Sequence, residues 1–110
     1  MLKPVTVKRS EWVRGKGGSA SGLFVDGKRC CLGFAVQQLC NRDDDYLAGL
    51  SIPPTEDWNK MTGISAGYGS LIETIPLVRT NDDPQLVDTQ RENLIIKEGK
   101  KVGLKFTFVN

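Results

Sequence analysis

Histidine is absent from this 110-residue chain. Its absence removes the usual general base, the usual triad partner and the commonest metal ligand. No stretch approaches the roughly 18 apolar residues of a membrane span. Met1 to Val5 contains no long apolar run, so no secretory leader is expected. Cysteine is scarce and odd in number, with Cys30, Cys31 and Cys40. Adjacent Cys30 and Cys31 cannot normally reach disulfide geometry with each other. They also lack the two-residue spacer of a zinc site and have no histidine to complete one. A cytosolic protein with reduced thiols is the simplest expectation. The charge is nearly balanced, at 15 basic against 13 acidic residues for a net +2. That balance gives no reason to expect nucleic-acid binding from net charge, although local patches stay open.

What is present reads as one domain, 1–110, of ordinary globular composition: 39% hydrophobic and 25% charged. A chain of this size buries roughly 65% of its unfolded surface and stands without disulfides or metals. The organising stretch runs from Gly22 to Cys40. Asp26-Gly27 between two short apolar runs is a hairpin signal. After Cys31 the period changes: Leu32, Ala35, Val36, Leu39 and Cys40 fall on one face of a helix.

In chain order, Pro4 to Val7 suits a short edge strand. Ser10 offers an N-cap to a short helix that leads to Trp12 and Val13. The run from Gly15 to Gly22 reads as a flexible loop. It does not lie between a strand and a helix, as a phosphate loop would. Asn41 to Asp45 lacks calcium-loop spacing and reads as a solvated acidic loop. Pro53 and Pro54 suit the first turn of a helix that buries Trp58 and Met61 and ends at Gly63. Tyr68 stands in a second small-residue loop. Leu71 to Thr80 reads as a short helix followed by an extended segment, and Asn81 to Pro84 as a turn. Asp88 or Thr89 caps the next helix, with Glu92 closing a capping box on Thr89 and Gly99 stopping the helix. Leu104, Phe106 and Phe108 alternate as a strand with one side on the core. The expected fold is α+β. A small antiparallel sheet (hairpin 22–31 plus the C-terminal strand 104–109) carries three to four short helices on one face.

The chemistry available is limited. Lys28, Arg29 and a helix N-terminus would lower a thiol pKa at Cys30 or Cys31, but no base stands nearby in sequence, and a small buried hydrophobe is the simpler role. Asp82, Asp83, Asp88 and Glu92 resemble a metal-hydrolase cluster only loosely, since the same residues read as a turn with a helix cap behind it. No enzyme, cofactor or metal is therefore expected. Binding remains. Arg79, Asn81, Asp82 and Arg91 gather around one turn, and arginine with asparagine suits phosphates and base edges. Tyr68 offers a stacking face, and Arg29 a further guanidinium. Against this, Arg91 could simply tie the turn to the helix through Asp82 or Asp83.

Gly27 to Gly33, with Cys30-Cys31-Leu32-Gly33 at its end, resembles the Cys-Cys-Leu-Gly signature of a group of small bacteriophage-encoded proteins, mostly of unassigned function. Ile52-Pro53-Pro54 with Trp58, Asn81-Asp82, Arg91-Glu92 and Phe106 to Val109 extend the resemblance from Gly22 onward. The short first helix and the glycine-rich stretch before the hairpin depart from it. The resemblance implies a phage accessory protein in the host cytoplasm that counters host defence without catalysis. One mode is a homo-oligomeric sponge that sequesters a nucleotide immune signal. The alternative is an anti-CRISPR-like inhibitor that docks on a host defence protein complex. Neither mode involves a membrane, and a nucleic-acid partner is not expected.

Overall fold

In the computed structural model, the described residues are 2–15, 22–63 and 76–110. Strand β1, Lys3–Lys8, places Val5 and Val7 inward, and strand β2, Leu104–Val109, does the same with Leu104 and Phe106. The two pair in parallel, from Lys3 against Leu104 to Lys8 against Val109. The sheet among the described residues is therefore two-stranded and parallel. This overturns the antiparallel sheet expected from hairpin 22–31 and strand 104–109.

The reason lies in where the hairpin arms find partners. The Asp26-Gly27 turn does form. Both residues have positive φ (52° and 79°), and Val25 and Lys28 exchange two backbone hydrogen bonds of 2.7 and 2.9 Å. Beyond that rung the arms diverge. Leu23 N–H donates to Leu50, Val13 N–H to Arg29, and Arg29 N–H to Glu11. Segments from elsewhere thus take the groups a longer ladder would have used. The β1 edge away from β2 is closed by a side chain. Gln38 donates to the Thr6 carbonyl (2.7 Å) and accepts from the Thr6 N–H (2.9 Å), while Pro4 offers no N–H.

A short 3-10 turn, Arg9–Glu11, replaces the helix expected after Ser10. Helix α1, Cys31–Cys40, is more deeply embedded than its one-faced pattern indicated. Cys31, Gly33 and Phe34 are buried along with Leu32, Ala35, Val36 and Cys40. At Gly33 an added Cβ would overlap the Leu23 carbonyl oxygen and lie 2.9 Å from its carbon, so this position admits no side chain. Asn41, at φ 54°, ends the helix in the left-handed region. The acidic loop after it is partly structured. Asp43 caps α2, Asp44–Leu47, by accepting from the Tyr46 N–H, and Asp44 pairs with Arg29. Helix α3, Thr55–Thr62, buries Trp58 and Met61 and stops at Gly63, as expected.

Residues 76–82 are helical (α4) and bury Leu77, correcting the extended segment expected there. Helix α5, Asp88–Lys101, also differs from expectation. It starts one residue before Thr89, and the Gln90 side chain accepts from the Val87 N–H. Glu92 instead reaches Arg9 across the fold, at 2.7 Å. Gly99 lies inside the helix and does not stop it. Its missing Cβ would sit 2.5 Å from the Phe106 ring, so glycine lets α5 lie close against β2, and the turn itself falls at Gly103, φ 85°. Helix α1 packs on β1 and α5 on β2. No helix among the described residues is long and apolar enough to cross a membrane.

Candidate functional site

The last turn of α4 delivers Asn81 and Asp82 to the interior, at 1% and 2% exposure. The Asn81 amide is a four-way junction. Its oxygen accepts from Trp12 Nε1 (2.8 Å) and from the Cys31 N–H (3.1 Å). Its nitrogen donates to the Val13 carbonyl (3.0 Å) and to Asp82 Oδ1 (3.1 Å). Its own carbonyl accepts from the Gly15 N–H at 2.8 Å. One side chain thereby satisfies an orphan amide at the start of α1 and ties it to the segment 12–15. The chain then turns at Asp83, whose carboxylate accepts from the Gln85 N–H at 2.9 Å.

Arg91 holds that turn from α5. It donates to the carbonyls of Asp83 and Leu86 (both 2.7 Å) and to Asp88 (2.5 Å), and it is 4% exposed. Its role is internal. Asp88 also receives a two-pronged contact from Arg14, which holds its carboxyl below the usual carboxylate range. Arg29 is internal too. It bridges Glu11 and Asp44, 3.1 and 2.6 Å away, with its guanidinium near the rings of Phe24 and Phe34.

Arg79 and Asp82 are left. Arg79 is exposed on α4 and has no partner among the described residues. With Asp82, Asp83 and Pro84 it lines an open hollow of about 370 Å³. Asp82 Oδ2 is sealed from solvent and accepts from no donor. Of the five buried side-chain polar atoms without a partner among the described residues, it is the one carboxylate oxygen. Behind it, a narrow void borders Cys30, Cys31, Val78 and Ser51 and has no room for a water. The structure therefore brings Arg79 and Asp82 together at one hollow, with Asn81 as the support beneath. It sets Arg91 and Arg29 into the scaffold. Tyr68 lies outside the described residues, as does loop 16–21.

The thiols beside Asp82 are held protonated. Burial pushes Cys30 up to about 11, against smaller opposing contributions from the Gly33 and Leu32 amides, and burial also raises Cys31 well above the ordinary thiol value. Among the described residues, no group of three or more Cys, Asp or Glu is arranged to hold a metal.

A second open groove, about 410 Å³, runs between Trp12, Arg14, Val25 and Lys28. Its arginine is already engaged. Arg14 lies 4.4 Å over the Trp12 ring and donates to Asp88, Arg9 and Trp12.

Sequence reasoning missed the Arg42, Tyr46 and Asp57 cluster. Asp57, 1% exposed, accepts from Arg42 Nε and Nη2 and from the Tyr46 hydroxyl at 2.5 Å. The Arg42 guanidinium lies 4.3 Å over the Tyr46 ring, but Arg42 precedes α2, so helical spacing gave no signal for the pair. Nothing local pointed to Asp57. No protein-family profile matches this chain, and neither a curated protein nor a solved structure matches it.

Proposed function

We propose that this protein acts without catalysis by holding a nucleotide-type small molecule at the Arg79–Asp82 hollow. In the setting implied by the phage resemblance, it would sequester a host immune signal in the infected cell. One observation carries the reading: Arg79, whose guanidinium has no partner among the described residues, and Asp82, whose buried Oδ2 has no donor there, line the same hollow. A carboxylate oxygen is an acceptor for the N–H edge of a base, and arginine matches a phosphate in two-pronged geometry. A buried acceptor without a donor is costly, and a ligand N–H that reaches Oδ2 removes that cost. The protonated state of Cys30 and Cys31 supports a binding role over nucleophilic use of the thiols.

The test is thermal shift against cyclic dinucleotides, cyclic ADP-ribose isomers and NAD, with a mass measurement of the oligomer. A true ligand at a hundredfold excess over Kd stabilises by about 2.7 kcal/mol. Arg79→Ala and Asp82→Asn should each abolish the shift. A flat response to the whole panel, together with a monomeric mass, removes the sponge reading. The docking alternative has one observation behind it: Val87 and Leu94, seven residues apart at α5, are exposed apolar side chains (62% and 37%).

A further inference from the structure

The net charge of +2 conceals a segregation of charge. Five of the six arginines are paired with carboxylates: Arg9 with Glu92, Arg14 and Arg91 with Asp88, Arg29 with Glu11 and Asp44, and Arg42 with Asp57. The lysines behave differently. Lys97, Lys100 and Lys101 fall at i, i+3 and i+4, on one face of the last turns of α5, and all three are exposed.

The Gly103 turn then gathers others beside them. Gly103 N–H donates to the Lys100 carbonyl, and the Lys3 N–H donates to the Gly103 carbonyl. Lys105 is paired in register with Pro4, the neighbour of Lys3. The Lys3 ammonium reaches the Lys60 carbonyl at the end of α3, at 2.7 Å. Six exposed lysines thus surround one end of the molecule, where the sheet begins and α5 ends. Among the described residues the one ion pair they make is Lys101 with Glu98, at 3.1 Å. Five carboxylates, Glu11, Asp44, Asp57, Asp88 and Glu92, are taken by the arginines elsewhere.

We infer that this lysine pole is a docking surface for the phosphodiester backbone of a nucleic acid, read without regard to sequence. Charge complementarity names the partner class. Compact ammonium charges on flexible stems suit phosphate contacts that position without specifying bases. The six lysines include no exposed arginine or aromatic anchor of the kind that dominates protein interfaces. Two exposed leucines border the pole, Leu2 beside Lys3 and Leu94 one turn before Lys97 on α5. Two isolated side chains offer little apolar area for membrane anchoring. The surface is separate from the Arg79–Asp82 hollow and does not depend on it.

Fluorescence anisotropy with a labelled 30-base-pair duplex of mixed sequence tests the inference. Binding should appear at 50 mM salt and weaken toward 200 mM. If four to six lysines take part, the log–log slope is about −4 to −5. Lys100→Glu with Lys105→Glu should weaken binding at least about tenfold. Lys8→Glu with Lys28→Glu makes the same charge change away from the pole and should weaken it no more than about threefold. All four side chains are exposed, and circular dichroism confirms that each variant folds. The inference is overturned if no duplex binds at 50 mM salt or if both double variants lose affinity equally. It is also overturned if phosphatidylserine vesicles retain the wild-type protein at a salt concentration where the duplex does not bind.

Discussion

Asp57 and Asp82 are the same residue type with the same burial, 1% and 2% exposed, and they have opposite surroundings. Asp57 accepts on both oxygens, from Arg42 and from the Tyr46 hydroxyl, and the arginine stacks on the tyrosine ring. Asp82 accepts on Oδ1 from Asn81, and its Oδ2 has no donor. The first is a closed latch between the end of α1, α2 and α3. The second carries a desolvated oxygen that stabilises nothing in the chain itself. Burial alone therefore does not separate a fully satisfied carboxylate from one with an unmatched acceptor. The count of donors does.

The comparison can be broken at several points. The largest effect is expected at the junction under Asp82. Asn81→Ala orphans Trp12 Nε1, the Cys31 N–H and the Val13 carbonyl together. The loss should be about 4 kcal/mol in urea unfolding. A loss below about 1 kcal/mol would mean that water replaces the amide and that the site is wetter than the geometry states.

Next comes Asp57→Asn, which leaves Arg42 and the Tyr46 hydroxyl facing a neutral amide. Breaking a buried charge pair costs about 3–5 kcal/mol, and the partial exposure of Arg42 brings the expectation down to about 2–3. Equal stability of Asp57→Asn and wild type would remove the latch.

The thiols beside Asp82 supply a pH test. The folded Cys30 pKa is raised by burial to about 11 from an ordinary 9.0. Its contribution is thus fully present below pH 9 and is lost as pH rises toward 11, because the unfolded chain releases that proton first. Wild type should lose about 2 kcal/mol more than Cys30→Ala between pH 8 and pH 10.5. Parallel losses in the two proteins would contradict the buried, protonated thiol.

The smallest effect sharpens the comparison most. Asp82→Asn keeps an acceptor for Asn81 and removes a negative charge whose Oδ2 has no donor. Its stability should change by less than about 1 kcal/mol, or rise, whereas ligand-induced stabilisation disappears. A destabilisation as large as that of Asp57→Asn would make Asp82 a structural residue.

Much of the local structure was legible along the chain. The Asp26-Gly27 turn, the α1 stripe, the Trp58 and Met61 face and the Gly63 stop follow from short-range rules of φ, period and capping. The misreadings share one cause. Asp26-Gly27 specifies a turn but not how far its arms pair, and Leu50, Glu11 and Trp12 claimed the arms. Gly99 looked like a stop because a glycine late in a helix usually is one. Close approach to Phe106 required it in the middle. At the candidate site, residue types marked Arg79, Asn81, Asp82 and Arg91 as a group. Asn81 turned inward for partners 50 and 69 positions away, Cys31 and Trp12, whereas Arg91 took partners within eight residues, Asp83, Leu86 and Asp88.

By itself the chain determined that no imidazole chemistry is available, where its turns and helix faces fall, and that α and β elements are mixed. Each of these depends on composition or on neighbours within a few residues. Tertiary structure alone decided that the first and last strands pair in parallel and that five of the six arginines meet carboxylates while six lysines gather at one end. It also decided that one buried carboxylate is satisfied and another is not. Those outcomes depend on which distant groups compete for the same hydrogen bonds and charges, and that competition is settled only when the segments meet.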